Sequence, residues 1–109
     1  MMRYTFFLAV VFAASACQNN SKETLILEAE TKLTMPKNAD SLHNYNRYYA
    51  ISGETATGVF IRSEGGPGKV EIVATNKDLP FVADGGCGVV EVRLDLKTKG
   101  WERPFCHGM

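Results

Sequence analysis

The chain has no excess of charge: 12 Lys and Arg balance 12 Asp and Glu over 109 residues. The two signs alternate along the sequence instead of clustering, which excludes both a nucleic-acid footprint and an acidic tail. Histidine is scarce, with only His43 and His107, and no C-x-x-C or H-x-x-x-H spacing occurs. That removes the usual zinc motifs, and neither a metal nor a cofactor is expected. Gly65-Gly66-Pro67-Gly68 lacks the lysine of a P-loop and the spacing of a dinucleotide turn. No internal repeat is visible. Long hydrophobic runs are missing too: the longest, from Tyr4 to Ala14, falls short of the roughly 20 apolar residues that span a bilayer.

What that short run does carry is an export pattern. Arg3 precedes it, the small residues Ala14, Ser15 and Ala16 follow it, and the next charge is Lys22. A basic start, an apolar centre and a small-residue cleavage point describe a secretory signal peptide over residues 1–16. The mature chain then begins at Cys17 with about 93 residues, one small domain.

Ala14-Ser15-Ala16-Cys17 resembles the lipobox of bacterial lipoproteins, with Ala14 where the commonest pattern has leucine. The resemblance implies that Cys17 receives several acyl chains and tethers the protein to a membrane. Stable anchoring does need more than one chain. Gln18, by the same resemblance, points to the outer membrane of a two-membrane bacterium, facing the periplasm. Ala14 and Ala16 also suit an ordinary signal peptidase, which would give a soluble periplasmic or secreted protein.

Three cysteines are an odd number for an exported protein. Lipidation of Cys17 leaves Cys87 and Cys106 to form one disulfide, which matters in a domain too small to bury much surface. One tension accompanies that pairing. A hairpin loop at Lys97 to Gly100 would set Cys106 opposite Glu91, about 13 Å along a strand from Cys87 and beyond disulfide reach. A shifted turn, a bulge at Pro104 or a fold-back of Asp84-Gly85-Gly86-Cys87-Gly88 would close the gap.

Residues 17–38 read as a tether, partly ordered at most; Thr24 to Glu28 fits a short strand or the start of a helix using Leu25, Ala29 and Leu33. Residues 39–109 read as an α+β domain. Asp40 or Ser41 caps a short helix carrying Leu42, Tyr45 and Tyr49 on one face. Strand patterns follow around Tyr49 and Ile51, at Thr57 to Arg62, at Lys69 to Thr75 and at Val89 to Leu96. Val90, Val92, Leu94 and Leu96 face one way, Glu91, Arg93 and Asp95 the other, as in a sheet with one wet face. Trp101 to Cys106 makes a last strand confined to an edge or bulge by Pro104. The expected fold is a short helix packed on a four- to five-stranded antiparallel meander.

No catalytic constellation stands out. Tyr45, Arg47 and Tyr48 interleave aromatics with a cation and suit a binding patch for an envelope protein or glycan, while Tyr45 and Tyr49 also suit a core. A competing reading makes Cys87 the thiol of a small enzyme, with His107 or His43 as its base. A third is a structural spacer. The mature part is similar to short exported proteobacterial proteins of uncharacterised activity, through Tyr48-Tyr49-Ala50, Asp84 to Cys87 and Cys106-His107-Gly108. The leading expectation is a lipid-anchored, non-enzymatic binding module of the cell envelope.

Overall fold

The structure, a computed structural model, describes residues 21–81 and 85–107. The chain divides into two compact units, Met1–Thr31 and Lys32–Met109. In the first, residues 21–30 are α-helical: of the two alternatives for Thr24–Glu28 the helix is found, but it ends before Leu33, so the expected face of Leu25, Ala29 and Leu33 does not form. Leu25, Leu27, Ala29 and three glutamates are good helix formers. Ile26, Ala29 and Glu30 are its buried positions, at the i, i+3, i+4 spacing of a single stripe. Thr31 closes the last turn by donating from its backbone and its hydroxyl to the Glu28 carbonyl.

The second unit is a six-stranded mixed sheet. Its strands are β1 (Tyr45–Ser52), β2 (Thr55–Arg62), β3 (Val70–Val73), β4 (Gly86–Asp95), β5 (Gly100–Trp101) and β6 (Phe105–His107). The order across the sheet is β3-β1-β2-β4-β5, with β6 also paired to β4. The α+β class therefore holds, while the meander does not. After the β1–β2 hairpin the chain crosses back and lays β3 parallel to β1, with Arg47 opposite Val70 and Tyr49 opposite Ile72. To reach β4, the connection out of β3 must then pass β1 and β2. A 3-10 turn at Asn76–Asp78 in that connection lies against β1.

The helix expected around Leu42–Tyr49 is also corrected. Only Leu42–Asn44 coils, as one 3-10 turn, and Tyr45 already begins β1. Tyr45, Arg47 and Tyr49 share a face through the period of two, not the helical period. The β-branched and aromatic content of Tyr45–Ser52, with the turn at Gly53-Glu54, favours the strand. Gly53 has φ 61°, which a two-residue hairpin requires at its first central position.

Rows across β1, β2 and β4 build the core. Tyr49 stands opposite Gly58 and Gly58 opposite Val92; Phe60 stands opposite Val90, and Ala56 opposite Leu94. Tyr45, Tyr49, Phe60, Val90, Val92 and Leu94 are all fully buried. Phe60 meets Tyr49 edge-on with ring centres 5.7 Å apart, a favoured aromatic geometry. The other face is only partly wet: Ala50, Val59 and Val89 are buried there, while Arg93 and Asp95 are exposed.

Candidate functional site

The β4–β6 side of the sheet collects the polar chemistry of the domain, and its geometry follows from two departures from regular pairing. The β4–β5 loop is Leu96–Lys99, one residue earlier than the sequence suggests, and Asp95 organises it by accepting from the Lys97 and Thr98 backbone. Between the Leu94–Trp101 and Glu91–Phe105 pairs, the second strand holds one extra residue, a bulge over Glu102–Pro104. Proline without an N–H suits that place. Beyond Val90–Cys106, the next pair is Gly86–His107, so Cys87–Val89 fold back as extra residues in β4. Gly86 takes φ 53°, and Gly88 donates to the Gly85 carbonyl to close the turn. Both the Pro104 bulge and the glycine fold-back therefore occur. Together they bring the Cys87 and Cys106 Cα atoms to 4.6 Å, where the disulfide forms with an S–S length of 2.09 Å.

Cys106 points to the core face, so its neighbours Phe105 and His107 both point to the other. Their rings lie nearly parallel, 17° apart in plane with centres separated by 6.0 Å. His107 Nε2 lies 3.1 Å from Glu91 Oε1, both side chains being partly buried. Beside them, Glu91, Val92, Arg93, Glu102, Arg103 and Phe105 line a shallow depression of about 220 Å³. Within it, Arg93 Nε and Glu102 Oε2 stand 3.9 Å apart and both are largely exposed, a weak pair. Glu91 is engaged by His107 and Glu102 by Arg93. Arg103 is thus the groove cation with no ion pair or hydrogen bond among the described residues.

The expected tyrosine–arginine patch is not an exposed surface, and two of its three residues are structural. Tyr45 is fully buried; its hydroxyl accepts from the Asp40 N–H at 3.0 Å and donates to the Cys87 carbonyl at 2.6 Å. It thereby ties the start of the domain to the disulfide loop. Arg47 is buried as well, with its guanidinium donating to the backbone carbonyls of Tyr45 and Leu42 at 3.1 and 3.4 Å. Burying a charge demands such partners. Tyr48, half-buried on the opposite face of β1, is the one member with surface to offer.

The thiol that a Cys87–histidine enzyme would use is bonded to Cys106, and His107 faces Glu91 across the sheet from it. His43 is exposed in the 3-10 turn before β1. Among the described residues, no three His, Cys, Asp or Glu side chains come together as a metal site. No helix among them is long and apolar enough to cross a membrane. Cys17, the expected lipidation site, lies outside the described residues.

The groove itself is what reading the chain missed. The Phe105-x-His107 spacing does put both rings on one face, and that signal was present. Their meeting with Glu91 depended on the two irregular pairings, which a regular hairpin register conceals. No family model, curated protein or solved structure matches this chain.

Proposed function

We propose that this protein is a lipid-anchored component of the bacterial cell envelope, acylated at Cys17, whose folded part is a non-enzymatic binding module. The observation that carries the binding reading is the groove between β4 and the Glu102–Phe105 segment. Phe105, a large apolar side chain in a paired strand, is 52 % exposed there, and it adjoins Arg103, which has no ion pair or hydrogen bond among the described residues. Aromatic residues and arginine are the types that anchor interfaces. The Cys87–Cys106 disulfide supports an oxidising compartment, because such bonds persist outside the cytosol. The lipobox resemblance supports the anchor, and Gln18 an outer-membrane address.

The binding role moves from Tyr45 and Arg47 to the groove, with Tyr48 the remaining tyrosine on the same face of the sheet. The intact mass of protein extracted from membranes tests the address and the oxidation state together. The expected mass is that of the chain from Cys17 onward, plus lipid, minus two hydrogens for the disulfide. An uncleaved leader would overturn the anchor. For the binding role, a photo-crosslinking residue at position 102, an exposed part of the groove lining that leaves Arg103 and Phe105 intact, is expected to capture a defined envelope component in intact cells, with capture lost in Phe105→Ala. Capture that is absent, or indifferent to Phe105, would leave the domain as a spacer.

A further inference from the structure

We propose that the β4–β6 groove is a subsite for an acidic glycan strand, with Phe105 as the platform for a sugar ring and Arg103 as the partner of its carboxylate. This rests on the binding-module reading above and names its ligand class.

Three observations lead to a sugar. First, the residues that line the groove beside Phe105 are, Val92 apart, all charged: Glu91, Arg93, Glu102 and Arg103. A protein interface of ordinary size buries about 800 Å² per partner around an apolar centre depleted in charge. The groove lining is mostly charged instead; of the other exposed large apolar side chains among the described residues, Ile72 lies on β3 at the opposite edge of the sheet, Phe81 in the connection from β3 to β4 and Leu27 on the helix of the first unit. Second, the ring of Phe105 is braced by the near-parallel ring of His107, and His107 is in turn held by Glu91. A braced aromatic face carries partial negative charge and attracts the weakly positive C–H edge of a pyranose. Arginine and glutamate beside it supply planar donors and acceptors for the ring hydroxyls. Third, the depression is shallow, at about 220 Å³, smaller than the roughly 300–1,000 Å³ clefts that enclose small ligands. Its volume suits a single sugar unit.

The acidic preference follows from charge. Glu91 lies against His107 and Glu102 stands 3.9 Å from Arg93, while Arg103 has no ion pair or hydrogen bond among the described residues. Guanidinium recognises a carboxylate through two parallel N–H bonds, and this pairing is the strongest one Arg103 has to give. A uronic or other carboxylated sugar supplies the ring face and the anion in one unit.

The test uses the full mature protein in detergent, with its disulfide intact, titrated calorimetrically with two hexasaccharides. One alternates glucuronate with N-acetylglucosamine; the other is neutral N-acetylglucosamine throughout. The acidic probe is expected to bind about tenfold more tightly than the neutral one, the value of one exposed charge-assisted contact. Phe105→Ala should weaken both by about tenfold, Phe105→Tyr should restore both, and Arg103→Gln should abolish only the acidic preference. Because Phe105 is half exposed and Arg103 has no ion pair or hydrogen bond among the described residues, all three variants should keep the parent's circular dichroism and oxidised mass. Equal competition by polyglutamate would reduce the site to a charge effect and overturn the proposal, as would binding insensitive to both positions. If neither sugar binds while crosslinking at position 102 still captures a protein in a Phe105-dependent way, the glycan inference falls and the binding module stands. If both fail, both fall.

Discussion

Gly58 shows how much one missing methyl can carry. It stands between Tyr49 on β1 and Val92 on β4, and a Cβ there would lie 2.6 Å from Val92 Cγ2 and 2.9 Å from Tyr49 Cε1. Both neighbours are buried with nowhere to retreat. Gly58→Ala is therefore expected to cost about 1–3 kcal/mol through overpacking, read as a lower denaturant midpoint at unchanged slope. Asp40 carries a different kind of information. The Ser41 backbone N–H, the Asn44 side chain and Arg62 hold its carboxyl below the ordinary 3.8, against a smaller opposing effect of burial. A lowered folded-state pKa means the ionised form is favoured by folding. Its contribution is complete above the ordinary value and disappears as pH falls through the lowered one. Asp40→Asn should thus show a smaller loss of stability than the parent when urea midpoints at neutral pH are compared with those below pH 3.8. A loss equal to the parent's would mean that Asp40 takes no part.

At the scale of elements, the strands whose patterns are local were legible and the ones set by partners were not. Val90, Val92 and Leu94 alternate with Glu91, Arg93 and Asp95, and β4 buries the first set as the period of two requires. The Gly53-Glu54 turn also follows from residue type. The segment from Leu42 to Tyr49 misled because positions 42, 45 and 49 satisfy a helical stripe, while 45, 47 and 49 satisfy a strand. Arg47 made the strand face look polar, and only the carbonyls of Tyr45 and Leu42 explain how it is buried. The parallel placement of β3 depends on contacts far from its own sequence. One of them is testable. Gly68 lies so close to β1 that a Cβ would fall 2.6 Å from the Asn46 nitrogen, and nearer still to the Tyr45 carbonyl group. Backbone atoms cannot rotate away, so Gly68→Ala must part the two segments. The Arg47 N–H, which donates to the Lys69 carbonyl, should then exchange with solvent much faster. Amides between β2 and β4 should keep their protection, and uniform acceleration would show that β3 is not a separable element.

For the whole molecule, the decisive contact joins residues 19 apart that a regular hairpin would hold out of reach. Cysteine number and the expected export made the pairing readable. How it is achieved was not readable, because fold-back of a glycine segment and a proline bulge are matters of backbone path. The disulfide fixes β6, and Cys106 sits between Phe105 and His107, so the staple also holds the two rings of the groove against β4. Tyr45 reinforces the same point from the core through the Cys87 carbonyl. Closing a loop of this length removes unfolded-state entropy equivalent to about 3 kcal/mol. A domain of this size has roughly 5–13 kcal/mol in total, so the loss is large without being certain to unfold it. Replacing both cysteines by serine is expected to lower the melting temperature on the order of 15 °C. Because β6 is the strand the bond secures, the His107 and Phe105 resonances should sharpen and move toward random-coil positions well below that melting point, while β1, β2 and the core of β4 keep their native shifts. If β6 stayed ordered and melting were unchanged, pairing with β4 alone would suffice to hold the groove together, and the disulfide would add nothing to it.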